Sequence, residues 1–122
     1  MRTDHRNEIG LSMYTVDIAH PPLTAQKAEQ VLDEALQTIR SHPHGRVLKI
    51  IHGKGSNGCP AVLKEIALNW AYRQRSRLRA VIPGTEYDLF HTDALALRKE
   101  CGKTKDADFG AANAGITVIW MK

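Results

Sequence analysis

An α/β fold is the class this sequence predicts, and three observations predict it. Apolar runs of strand length alternate with amphipathic stretches of helical period, in the order β-α-β-α-β-α-β. Proline and glycine fall between the runs, where the chain must turn. The 122 residues are 43% hydrophobic and 25% charged, the size and composition of one globular domain that folds without disulfide or metal support. Alternation of this kind implies a mixed or mostly parallel sheet covered by helices.

Residues 1–12 read as a flexible polar arm, and the domain proper as 13–122. Met13 to Ala19 (MYTVDIA) alternates and is rich in β-formers, hence a strand that Pro21 and Pro22 stop. Thr24 suits the N-cap of a helix reaching about Arg40, because Ala28, Val31, Leu32, Ala35, Leu36 and Ile39 recur on one face. Arg46 to His52 (RVLKIIH) reads as a buried strand, and Gly53 to Gly58 (GKGSNG) as a glycine-rich turn. Pro60 stands where a helix often begins, and Leu63, Ile66, Ala67 and Trp70 carry its stripe to about Gln74. Arg77 to Ile82 is a third strand, ended by Pro83-Gly84. A third helix is expected from about Asp93 to Glu100, a loop from Lys103 to Gly115, and a last strand over Ile116 to Met121 (ITVIWM).

Charge is unevenly placed. Between Ala35 and Thr85 nine Lys and Arg face a single acid, Glu65, whereas the whole chain carries only +4. A cationic block on an otherwise acidic chain offers a positive face to phosphates, so nucleic acid is the expected partner. No run is apolar enough to span a bilayer, and the first ten residues lack the core of a signal peptide. Cys59 and Cys101 form no Cys-x-x-Cys pair. A reducing, cytoplasmic setting is therefore expected, with no membrane partner.

Ligands of open α/β sheets gather at the carboxyl ends of strands. Asp17 and His52 stand near two such ends, so Asp17, His20, His52 and the glycine turn are expected at one edge. Gly53-Lys54-Gly55-Ser56-Asn57-Gly58 matches G-x-G-x-x-G, whose backbone N–H groups and following helix favour a phosphate. It makes a poor dinucleotide site. It follows the second strand, and no ribose-binding acid stands about 20 residues on, where RQRSRLRAV lies. No Lys-Ser/Thr pair makes it a Walker loop.

Val16-Asp17-Ile18, Leu23-Thr24-Ala25, Val47 to Gly55 (VLKIIHGKG), Pro60 to Trp70 and Gly115-Ile116-Thr117-Val118 resemble the Smr (small MutS-related) domain over most of the chain. The resemblance implies a two-layer α/β sandwich with a mixed four-stranded sheet, like the C-terminal domain of translation initiation factor three. It also implies nucleic-acid binding and, in several members, endonuclease nicking of DNA or cleavage of RNA. One motif departs. The family's Asp-x-His-Gly is matched at Asp17, but Ala19 holds the His position and His20 follows one place late, before Pro21.

His52, Asp17 and His20 are the catalytic candidates, as proton carriers or orienting groups. Gly53, Lys54, Gly55, Asn57, Arg77 and Arg79 are the candidate phosphate contacts. Arg73, Arg75, Arg77 and Arg79 share one face if the segment is extended. An RNA route, with His52 or Asp17 taking the 2′-hydroxyl proton, requires no cofactor; a DNA route uses Asp17 to place Mg²⁺. His42-Pro43-His44 reads as an exposed loop and not a metal site. Trp70 and Trp120 read as core, and Tyr87 and Phe90 as packing for a segment, 86–109, of unassigned role. A binding module without catalysis, a nucleotide-dependent enzyme and an acidic-partner domain are the competing classes.

Overall fold

The computed structural model describes residues 9–10, 13–41, 46–54, 62–101 and 108–122. The strands are β1 (Ile9–Gly10), β2 (Met13–Asp17), β3 (Val47–Ile51), β4 (Leu78–Pro83) and β5 (Ile116–Met121); the helices are α1 (Ala25–Ser41), α2 (Val62–Arg73) and α3 (Thr92–Cys101). The fold is α/β, with a mixed sheet of four full strands and three helices. The two-residue β1 adds an antiparallel pairing to β2. Most of the expected arm, His42-Pro43-His44, the turn from Gly55 through Pro60, and residues 102–107 lie outside the described residues.

Strand order is β1-β2-β3-β5-β4. β2 lies parallel to β3, with Asp17 opposite Ile51. β5 runs antiparallel between β3 and β4. Hence β2, β3 and β4 point one way, and their carboxyl ends share an edge with the start of β5. The central place of β5 explains its unbroken apolar sequence, since all six of its residues are buried.

Helices cover both faces. On one, Leu32, Leu36 and Ile39 of α1 and Leu63, Ile66 and Trp70 of α2 pack against Val16, Leu48, Ile50, Ile119 and Met121. Burying a large apolar side chain such as Leu32 contributes about 1.5–3 kcal/mol. Thr24 caps α1 as its sequence predicts, its Oγ1 accepting from the Lys27 N–H at 3.2 Å. Trp70 is core, and its Nε1–H donates to Asp33 Oδ1 at 2.9 Å, joining α2 to α1.

The opposite face explains the unassigned segment. Ala94 and Leu97 of α3, with Tyr87, cover Val47, Ala80, Ile82, Ile116, Val118 and Trp120. Tyr87 meets Phe109 edge to face, centroids 5.1 Å apart. Phe90 does not share this packing and is 93% exposed. Lys49, the polar interruption of β3, points into this layer, and its Nζ donates to Asp108 Oδ2 at 2.7 Å. A helical layer over one face of a mixed sheet is compatible with the expected sandwich; α3 adds cover on the other. No helix of the described residues is long and apolar enough to cross a membrane.

Candidate functional site

The edge where β2, β3 and β4 end carries three of the expected residues, Asp17, His20 and His52, in two different environments. Asp17 closes β2. Its Oδ1 accepts from the backbone N–H groups of Ala19 (2.8 Å) and His20 (3.1 Å), which turns the chain sharply after the strand. Leu23 N–H donating to the Ile18 carbonyl at 3.0 Å closes the loop, and the His20–Pro21 peptide is cis.

Strict strand alternation would send His20 away from Asp17. β2 ends at Asp17, however, and the turn brings the ring back. His20 Nδ1 lies 3.1 and 3.0 Å from the two Asp17 carboxylate oxygens. The Asp17 side chain is nearly buried at 9% exposure and that of His20 is open at 59%. A carboxylate that accepts from Nδ1–H holds an imidazole in the tautomer whose Nε2 is the basic nitrogen. The displaced histidine is therefore paired with Asp17 despite the altered spacing.

His52 is placed differently. It is fully buried. Nδ1 lies 2.9 Å from the Gly53 carbonyl oxygen and Nε2 2.9 Å from Thr117 Oγ1. A carbonyl only accepts, so Nδ1 carries the proton and Nε2 accepts from the Thr117 hydroxyl. Burial pushes the His52 pKa below its ordinary value of 6.5; Lys64 adds to the lowering, and the backbone bonds to Gly53 and Ile116 oppose it. A neutral ring with both nitrogens engaged beneath the surface ties the end of β3 to β5. Placed so, His52 is not at the surface where the sequence expects a proton carrier, and both its ring nitrogens already have partners within the fold.

The start of the glycine turn is also committed to the fold. The N–H groups of His52 and Gly53 both donate to the Gly115 carbonyl, at 2.9 and 3.0 Å. Gly53 is buried, with φ at 81°, a left-handed conformation that glycine adopts without strain. Its N–H is thus spent on the residue that precedes β5 and not presented to a phosphate. Lys54 follows and is exposed. Gly55 and Asn57 lie outside the described residues.

The arginine stripe does not form. α2 ends at Arg73, a single 3-10 turn takes Arg75 to Arg77, and β4 begins at Leu78. The segment is not extended, so the four side chains take different partners. Arg73 pairs with Glu29 at 3.3 Å, and Arg75 stacks on Tyr72 with its carbon 3.9 Å from the ring centre. Arg77 donates to Gln74 Oε1 at 2.9 Å, and Arg79 lies 4.1 Å over the Trp120 ring. Both also stand at the start of β4, whose other end lies at the same edge of the sheet as Asp17, with β3 and β5 between them. Arg77 and Arg79 therefore sit at the edge opposite Lys54, about 20 Å away for six residues of strand.

At that opposite edge Arg40, Arg46, Arg77 and Lys122 line one pocket of about 280 Å³. Sequence reasoning passed over this cluster because its members are far apart in the chain. The available signal was positional: Arg46 and Arg77 precede strands that run together, and Lys122 follows the antiparallel strand between them.

Mg²⁺ is usually held by one or two carboxylates with water and substrate phosphates. Among the described residues no three His, Cys, Asp or Glu side chains gather as metal ligands. Asp17 uses both oxygens on His20 and one of them on backbone N–H groups as well. With those partners its carboxylate does not fit the metal-placing role.

Comparisons with models of protein families, with characterised proteins and with solved structures find no match for this chain.

Proposed function

We propose that this chain is a nucleic-acid-binding domain of the Smr type, in which Asp17 and His20 form the candidate centre for phosphodiester cleavage. The observation that carries the reading is the solvent-facing imidazole held at 3.0 Å by a nearly buried carboxylate, at the edge where α/β sheets place their ligands. Lys54 stands at the adjacent strand end. The cationic block of the sequence supports a phosphate-bearing partner.

On RNA, His20 Nε2 takes the proton of a 2′-hydroxyl, and the 2′-oxygen attacks the neighbouring phosphorus. The 5′-oxygen of the next nucleotide leaves with a proton from water, a 2′,3′-cyclic phosphate remains, and His20 returns its own proton to solvent. Asp17 holds the ring and balances its positive charge after proton uptake. Lys54 supplies a point charge to the crowded phosphate. The burial of His52 favours a second reading, a module that binds nucleic acid and does not cut it.

A cleavage assay separates the two. Purified protein is given supercoiled plasmid and a labelled structured RNA, with Mg²⁺ or chelator, beside His20→Ala and Asp17→Asn. Cutting of RNA in chelator that both substitutions reduce by about 10²-fold or more establishes the proposed centre. A gel shift without cutting establishes the binding module. Cutting unchanged in both variants contradicts the assignment of Asp17 and His20.

A further inference from the structure

The pocket at the amino-terminal edge of the sheet plays no part in that chemistry, and its construction is specific. Arg46 leads into β3, Lys122 follows β5 and Arg77 leads into β4, three neighbours in the sheet. Backbone bonds fix their register: the Met121 N–H donates to the Arg46 carbonyl at 2.7 Å, and the Lys122 N–H to the Arg77 carbonyl at 3.0 Å. Strands lie about 4.8 Å apart, so the Arg46 and Arg77 backbones stand about 10 Å apart with Lys122 between them. Gln74 holds the Arg77 guanidinium by accepting its Nη1–H at 2.9 Å. Arg40 enters from the last turn of α1, and the buried Ile39 and Met121 form the floor.

Four cationic residues thus line one concavity. Among the described residues none of the four takes part in an ion pair. Like charges gathered over an apolar floor repel one another and raise the local potential, and an anion relieves both. About 280 Å³ lies at the bottom of the range for small-molecule sites, room for a phosphate group but not for a dinucleotide. Arginine matches a phosphate through paired N–H donors.

We propose that this pocket is a phosphate-binding site, formed by Arg40, Arg46, Arg77 and Lys122. The site stands on its own geometry; that its phosphate belongs to a nucleic-acid backbone rests on the function proposed above. Affinity and chemistry then occupy opposite edges of the sheet and are separable by mutation.

The test is an NMR titration of the ¹⁵N-labelled chain with inorganic phosphate, against chloride at matched ionic strength, and then with a short oligonucleotide as DNA and as RNA. Phosphate is expected to shift the Met121 and Lys122 amides with millimolar affinity, and the oligonucleotide to shift the same amides at least about tenfold more tightly. Arg46→Gln and, independently, Arg40→Gln are expected to weaken both responses several-fold, while the rest of the spectrum reports the fold. Shifts from phosphate but not from any oligonucleotide uphold the site and overturn its nucleic-acid source. Oligonucleotide shifts confined to the surroundings of Lys54 uphold nucleic-acid binding and overturn the pocket. No shift of Met121 or Lys122 with either ligand overturns the proposal.

Discussion

Replacing His52 by alanine distinguishes a structural histidine from a catalytic one. The substitution deletes two hydrogen bonds of 2.9 Å in a region with no solvent access and leaves the Thr117 hydroxyl without its partner. A lost bond with a stranded buried group costs about 1–3 kcal/mol, and the void left by the ring adds to it. The expected destabilisation is about 3–4 kcal/mol. With unfolding entropy near 2.1 cal/mol/K per residue, the 122-residue chain shifts its Tm by about 4 °C per kcal/mol, so a fall of about 12–16 °C is expected. Thr117→Val should cost about 1–2 kcal/mol, and the double variant less than the sum of the two by about 1 kcal/mol. Thermal unfolding by circular dichroism reads all three. Below its lowered Tm, His52→Ala should bind oligonucleotide as the parent chain does. A His52→Ala variant with an unchanged Tm and lost nucleic-acid cleavage would refute the structural assignment and return His52 to the chemistry.

Gly84→Ala should cost at least about 2 kcal/mol, because the added carbon overlaps the Asn113 carbonyl oxygen and meets Ile116 Cγ1 at 2.6 Å; urea unfolding measures it, and near-parental stability would contradict the packing. Lys49→Met should cost about 1–2 kcal/mol, since it takes the cation from a carboxylate that is 25% exposed and leaves it the Asn113 bond, and Lys49→Met with Asp108→Asn should recover part of the loss. Acid should destabilise the fold in two windows. His52 has its pKa lowered by burial, so the unfolded chain takes its proton first; that contribution is full above about 6.5 and is lost as pH falls below it, and His52→Ala should flatten this window. Burial raises the Asp108 pKa, but bonds from Lys49 and Asn113 outweigh it and hold the group below its ordinary 3.8. Its contribution is therefore present above 3.8 and lost as pH falls further. Urea midpoints at about pH 7.5, 5 and 3 read both windows, and a midpoint that does not fall with acid contradicts them.

Elements governed by local pattern were legible in the sequence. The alternating β2, the stripe of α1 with its Thr24 cap and the continuous apolar β5 follow from side-chain periodicity, which requires no knowledge of partners. The meeting of Asp17 and His52 at one edge was legible too, because parallel strands bring like ends together. What happens at that edge was not. Whether His52 faces solvent depends on Thr117 and Gly115, more than sixty residues away. His20 turns back because Asp17 captures two backbone N–H groups, a local device that strand alternation cannot describe. The arginines at 73, 75, 77 and 79 share a face only in an extended chain, and a 3-10 turn separates them. Tyr87 and the α3 residues Ala94 and Leu97 carry too weak a periodicity to show that they cover a second face of the sheet.

The most direct test of nucleic-acid binding is the salt dependence of association with a labelled oligonucleotide, followed by fluorescence anisotropy. If Lys54 and the four pocket cations meet phosphates, log K falls linearly with log salt, with a slope of about −3.5 on a single strand or about −4.5 on duplex DNA. Association that is absent at low salt, or that does not respond to salt, would contradict the account.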